Sequence, residues 1–132
     1  MSYRRRVTEP PAQGPQFLLR AVFTGWLLAL LVAVMLTALL ALALLKTGLS
    51  ELYLPHLVNG LGFVSILAGS MMAARRARSL GWFHGCLTGV LFICIGYGIS
   101  LLFFAPVPPL GTPRIVFAAL AGITGGVLGV NL

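Results

Sequence analysis

The stretch that decides the fold is residues 67–89, LAGSMMAARRARSLGWFHGCLTG. Two long apolar runs meet in it around Arg75, Arg76 and Arg78, which form the only dense charge cluster outside the N-terminal tail. The polar turn between the runs is so short that it predicts an antiparallel helical hairpin. Small residues flank the turn on both sides, which indicates that the two helices approach each other closely.

The composition of the whole chain indicates an integral membrane protein. Of its 132 residues, 59% are hydrophobic and 8% are charged, and its mean hydropathy is +1.03. A soluble domain carries about 25% charged residues, whereas apolar runs of roughly 20 residues can cross a bilayer. We therefore predict an all-α fold, a bundle of four transmembrane helices with short loops, at about residues 17–45, 52–74, 80–104 and 115–132. Residues 1–16, which are basic and proline-rich, are expected to form a disordered cytoplasmic tail.

The distribution of positive charge predicts the orientation of the bundle. The net charge is +7 at pH 7, and one predicted side of the membrane receives only Lys46 and Arg114. The other side receives Arg4, Arg5, Arg6, Arg20, Arg75, Arg76 and Arg78. Because cytoplasmic loops carry the excess of Lys and Arg, both termini are predicted to be cytoplasmic. The charges sit in short segments beside apolar runs, so they favour contact with anionic lipid headgroups rather than with nucleic acid.

Small residues recur at helical spacing in every predicted span. In the first span they recur every four positions from Ala21 to Ala41. Such a stripe drifts by about 40° per step, so it can face two neighbouring helices in turn. GxxxG pairs let two helix backbones come close within a membrane. The glycines predicted to pack helices together are Gly25, Gly62, Gly69, Gly81, Gly85, Gly89, Gly122 and Gly126.

The central hairpin resembles a known family. Residues 67–92, LAGSMMAARRARSLGWFHGCLTGVLF, are similar to the signature of the YrzE-like family of small four-span bacterial membrane proteins. In that signature a glycine pair ends the second span, a basic alanine-rich turn follows, and Gly-Trp-x-x-Gly opens the third span. The matching positions are Gly69 with Ser70, then 73–78 and 81–85; Ser70 departs from the pattern but stays small. The resemblance implies a multi-pass protein of the bacterial plasma membrane, typical of Gram-positive bacteria, and it implies no activity.

The chain lacks the groups that most membrane enzymes and ion-coupled transporters use. None of the predicted spans contains Asp or Glu, since Glu9 lies in the tail and Glu51 in a loop. This argues against a carboxylate-coupled proton antiporter and against acid–base catalysis by a carboxylate. Cys86 and Cys94 point about 80° apart on one predicted helix, which disfavours a disulfide or a metal site between them. No nucleotide-binding loop or nucleophile motif is present. We expect no catalytic residue, no metal, no cofactor and no enzymatic activity.

Three polar residues in the spans are candidates for a pH-sensitive group or a polar path: Asn59, His84 and Thr88. An unperturbed histidine titrates near pH 6.5, but the preferred interpretation of His84 is an interfacial ring beside Trp82 in the headgroup region. His56 is predicted at the opposite membrane face, so the two histidines are not expected to share a metal. For the hydrogen-bonding residues, bonds between helices are the commoner use.

These observations predict a non-enzymatic small membrane protein. The leading interpretation is an accessory or structural subunit that packs through glycine-rich helix faces, either in a homo-oligomer or in a larger membrane complex. The alternative is a small oligomeric channel or carrier for a neutral or anionic solute. A third hypothesis is binding of anionic lipid by the turn that holds Arg75, Arg76 and Arg78.

Overall fold

The computed structural model describes residues 15–48, 51–77, 80–104, 106 and 109–132. Its four helices are α1 (Pro15–Thr47), α2 (Leu54–Ala77), α3 (Gly81–Phe103) and α4 (Thr112–Asn131), with a 3-10 turn at Glu51–Tyr53 before α2. Each helix is long and apolar enough to cross a membrane. The described part of the chain holds no strand. The structure therefore confirms the predicted all-α, four-span membrane fold.

All four helices begin one to three residues from their predicted positions, and the starts of α4 and α1 fall in segments predicted to lie outside the spans. α4 begins at Thr112 rather than at residue 115, because Pro113 is accommodated in its first turn. Proline is tolerated there, where its missing N–H would have no partner within the helix. The Arg114 N–H donates to Gly111 O at 3.0 Å and closes this turn. α1 begins at Pro15, within the predicted tail, and residues 1–14 of that tail lie outside the described residues.

The helices form two antiparallel hairpins, α1–α2 and α3–α4, and the central pair α2–α3 takes one helix from each hairpin. α2 packs on all three other helices, and α3 does the same, whereas α1 and α4 make no contact with each other in the described part of the chain. α1 and α4 therefore lie on opposite sides of the α2–α3 pair. We call the end of the bundle that holds Arg20, Arg75 and Arg76 the arginine end. The opposite end, which holds Pro55 and Pro113, is the proline end.

The interior of the bundle consists of small and polar side chains. Among the residues whose burial the structure describes, the buried hydrophobic ones are all alanines apart from Val22 and Ile66. The largest fully buried side chains are polar, and they are His84, Thr88, Ser65 and Ser70. Since lipid tails are as apolar as leucine, helices in a membrane associate through close backbone packing and hydrogen bonds. The large apolar side chains accordingly point outward.

The bundle is closed at the arginine end and open at the proline end. In α1 the buried residues are Ala21, Val22, Gly25 and Ala29, and no described residue of this helix beyond Ala29 is buried. The small-residue stripe continues to Ala41, but it meets α2 only over its first part. A helix pair that crosses at an angle is in contact over only a limited length. The second half of α1 therefore leaves the bundle.

Candidate functional site

The closest helix contact lies between α3 and α4. A Cβ atom on Gly85 would overlap the carbonyl oxygen of Gly122, and a Cβ on Gly122 would overlap the carbonyl oxygen of Gly85. We call this line of close backbone contacts the α3–α4 seam. It continues at Gly81 and Gly89, where a Cβ would overlap atoms of α4, and at Gly126, where a Cβ would overlap atoms of α3. Only glycine fits at this reciprocal contact without a shift of the two backbones.

Two further seams join α2 to its other neighbours. On the α1 side, a Cβ on Gly25 would lie 2.6 Å from Gly69 O and 2.5 Å from the Cβ of Ala73. On the α4 side, a Cβ on Gly125 would lie 2.7 Å from the carbonyl oxygen of Leu67. α2 thus carries a small-residue face toward each of the two outer helices.

The structure places seven of the eight predicted packing glycines in contacts within the chain, and Gly62 is the exception. A Cβ on Gly62 would meet no atom within 4 Å, and the same is true of Gly60, Gly96 and Gly98. The spacing predicts packing at Gly62 because it precedes Gly69 on the same face of α2. The helices have diverged at that level, so this prediction is wrong for the fold of the single chain.

His84 lies inside the bundle, between the helices. Its side chain is 1% exposed, whereas Trp82 is 52% exposed and Phe83 is 46% exposed. Residue 84 shares a helix face with the seam glycines at 81, 85 and 89 and with Thr88, so it turns inward with them. The ring of His84 therefore packs within the protein and not against lipid headgroups, because the helix register turns it inward; its depth near the membrane interface stays a prediction.

The ring of His84 is held on one side only. Its Nδ1 lies 3.0 Å from the carbonyl oxygen of Leu80. Its Nε2 is buried and has no hydrogen-bond partner among the described residues. Buried polar atoms nearly always have a hydrogen-bond partner, so an unpaired Nε2 is unusual.

The three predicted polar residues do not form one path. Thr88 is buried beside His84, and its hydroxyl donates to the carbonyl oxygen of His84 at 2.8 Å. Asn59 is exposed at the proline end. Ile66 packs near Gly89 in α3, and Asn59 precedes Ile66 by about 10 Å along α2. The structure thus brings His84 and Thr88 together and leaves Asn59 apart from them.

The arginines of the central turn lie on separate surfaces. Arg75 and Arg76 are exposed in the last turn of α2, and Arg78 lies outside the described residues. Arg76 lines a cleft of about 610 Å³ with Arg20 and the apolar side chains Leu19 and Phe23 of α1. Arg75 lines a different groove beside the end of α4. The sequence did not predict that Arg20 and Arg76 line one cleft, although both are cations at the same predicted membrane face.

No group of three His, Cys, Asp or Glu side chains converges in the described part of the chain. Cys86 and Cys94 are free thiols. The arrangement offers close helix packing, one buried imidazole and clefts with arginines at their mouths.

Comparison with known families gives a match over nearly the whole bundle. A family model described as a protein of unknown function, DUF3792, matches residues 18–129. The chain belongs to this family. The DUF3792 description gives no activity, and it agrees with the predicted membership of an uncharacterised family without carrying the YrzE-like name. No curated protein and no solved structure shows detectable similarity to the chain.

Proposed function

We propose that this DUF3792 protein is a non-enzymatic subunit of the bacterial plasma membrane that packs on another copy of itself or on a larger membrane complex. Its closest-packing glycines are already used within the chain, at the arginine end. A partner therefore has to use the open half of the bundle. In this proposal the closely packed half at the arginine end holds the helices together, and the open half at the proline end contacts the partner.

The observation that carries the proposal is a cleft between α1 and α3 toward the proline end. It has a volume of about 290 Å³ and is lined by Trp26, Leu30, Ala33, Val34, Phe92, Ile95, Gly96 and Ile99. Gly96 has open space where its Cβ would stand. Glycine and alanine beside larger apolar side chains are typical of membrane helix interfaces. The cleft is thus suited to side chains of an added helix.

Co-purification of two differently tagged copies tests the proposal. The copies are expressed together and extracted from native membrane at low detergent. We expect either capture of one copy by the other or a discrete complex larger than the monomer. Gly96→Leu should fill the cleft and release the partner, whereas Gly98→Leu, at an open glycine that does not line the cleft, should not. A strictly monomeric protein with no co-purifying partner would overturn the proposal.

We place both termini on the cytoplasmic side in this proposal. Arg20, Arg75 and Arg76 lie at the end of the bundle where α1 begins and α2 ends. The proline end carries Lys46 and Arg114. The excess of arginine favours the arginine end as the cytoplasmic one.

Transport of a solute is the alternative function, and a flux assay distinguishes it from the subunit proposal. A channel or carrier needs a polar route, and Asn59 is apart from His84 and Thr88 in the single chain. Purified protein in liposomes should therefore pass neither neutral nor anionic solutes above the level of empty liposomes. Solute flux that depends on the protein would replace the subunit proposal with the channel.

Binding of anionic lipid at the arginine end is a second candidate function. It is supported by the cleft that holds Arg20 and Arg76 beside Leu19 and Phe23, since cations at the mouth of an apolar cleft suit a charged headgroup and its chain. Arg76→Ala should weaken retention of phosphatidylglycerol, with Arg75→Ala, which lines a separate groove, as the matched variant. Equal retention by the wild type and Arg76→Ala would exclude this site.

A further inference from the structure

A second cleft opens between α2, α3 and α4 at the proline end. Its inner part has a volume of about 430 Å³, within the range of about 300–1,000 Å³ typical of ligand pockets. Its apolar lining includes Phe63, Ile66, Phe92, Ile93, Phe117 and Ala118. An adjoining outer groove of about 280 Å³ is lined by Leu54 and Pro55. The inner and outer parts share Val58, Asn59 and Arg114.

The polar and apolar groups of this cleft are segregated. Ile66 and Ala118 belong to the buried hydrophobic cluster, so the inner end is apolar. The rings of Phe63 and Phe117 lie 5.3 Å apart and join α2 to α4 beside it. The outer end carries the guanidinium of Arg114 and the side-chain amide of Asn59. A molecule that matches both ends has an apolar chain and a negatively charged head.

Gly62 keeps the cleft open. It lines the inner part, and a Cβ at this position would meet no atom within 4 Å. A larger side chain at position 62 would project into empty space instead of into another helix. The sequence predicts helix packing at Gly62, whereas in the structure the missing side chain leaves space within the cleft.

We propose that this cleft binds a phospholipid, with one acyl chain in the inner part and the phosphate at Arg114. The planar guanidinium of arginine forms paired hydrogen bonds with phosphate oxygens. The Asn59 amide can donate to a further oxygen of the headgroup or of the ester linkage. The site is distinct from the cleft at the arginine end, and it shares only Phe92 with the α1–α3 cleft.

Native mass spectrometry of the delipidated full-length chain tests the proposal. The probes are phosphatidylglycerol, a diacylglycerol with the same acyl chains, and glycerol 3-phosphate, which has the headgroup chemistry without the chains. We expect phosphatidylglycerol to bind, diacylglycerol to bind at least about tenfold more weakly, and glycerol 3-phosphate not to bind, because the site needs both the phosphate and the chain. Equal binding of phosphatidylglycerol and diacylglycerol would remove the role of Arg114. Binding of glycerol 3-phosphate alone would identify a free-phosphate site instead.

Matched variants assign the bound lipid to this cleft. Gly62→Leu should remove one bound phosphatidylglycerol, whereas Gly60→Leu, at an open glycine that does not line the cleft, should keep it. Arg114→Gln should weaken the same site by about tenfold, and Arg75→Gln at the other end should not. Unchanged thermal unfolding of Gly62→Leu excludes misfolding as the cause. If Gly62→Leu binds lipid like Gly60→Leu, or releases a protein partner with lipid binding intact, the proposal fails.

Discussion

The Nδ1 atom of His84 donates a hydrogen bond to the carbonyl oxygen of Leu80, at 3.0 Å. A carbonyl oxygen only accepts, so Nδ1 carries the proton, and in the neutral ring Nε2 is a buried acceptor. The backbone N–H groups of Phe83 and His84 donate to the same oxygen. Leu80 has φ 47° and ψ 48°, a left-handed conformation that is costly for a residue with a Cβ. His84 therefore stabilises the turn at which α3 begins.

His84→Ala should destabilise the bundle, because it removes this hydrogen bond and leaves a cavity among buried side chains. We expect a loss of about 2 kcal/mol in the free energy of unfolding, read as a lower thermal unfolding midpoint in detergent. Trp82→Ala is the matched control, since its neighbouring ring is half exposed and should matter less. Equal losses in the two variants would mean that the burial of His84 has no energetic weight.

Leu80→Gly should stabilise the protein. Glycine adopts the left-handed conformation without a Cβ penalty, so the change should gain about 1 kcal/mol in the same unfolding measurement. Leu80 is 61% exposed, so little packing is lost. Leu45→Gly, at a similarly exposed leucine in regular helix, should have the opposite sign. A destabilised Leu80→Gly protein would show that the Leu80 side chain, and not its backbone, is what the turn requires.

Gly85→Ala should separate α3 from α4. Its Cβ would overlap the carbonyl oxygen of Gly122, and the backbone shift should cost about 1–3 kcal/mol in the free energy of unfolding. Gly96→Ala on the same helix meets open space and should be neutral or stabilising by up to about 1 kcal/mol, because alanine is the better helix former. The difference between the two unfolding midpoints measures how much the close contact between α3 and α4 contributes to stability. Similar midpoints would contradict the asymmetry of the bundle.

Cysteine labelling in intact cells should report both termini inside. After replacement of Cys86 and Cys94 by alanine, a cysteine at Leu132 should resist a membrane-impermeant maleimide, whereas a cysteine at Gly48 should react. Lysis should make the terminal cysteine reactive, which controls for burial. Labelling of position 132 in intact cells, without labelling of position 48, would reverse the proposed orientation.

The fold could be predicted from the sequence because its signals are strong and local. Four apolar runs and the short basic segment at residues 75–79 define the spans without any tertiary information. The start of α4 was harder to predict because Pro113 reads as a helix breaker in a proline-rich loop. The same residue is compatible with the first turn of a helix.

The site was less predictable, since it depends on where helices meet and part. Ala21 and Ala41 belong to one four-residue stripe, but only the first is buried against α2. Likewise Gly62 and Gly69 share a face of α2, and only Gly69 is packed. Helix crossing angles decide these differences, and they follow from interdigitation along both helices rather than from either sequence alone. The burial of the His84 side chain likewise depends on how α3 packs against its neighbours.

Photo-crosslinking from position 34 in native membranes tests the subunit proposal most directly. Val34 lines the α1–α3 cleft and is 61% exposed, so a photoreactive phenylalanine analogue there stands at the edge of the cleft and does not fill it as Gly96→Leu would. The same group at Leu102, which is 81% exposed on α3, serves as the lipid-facing control. We predict a discrete protein adduct from position 34, with the mass of a dimer or of a complex with a second membrane protein, and none from position 102. Absence of a protein adduct at position 34, or equal adducts at both positions, would contradict a partner surface in the open half of the bundle.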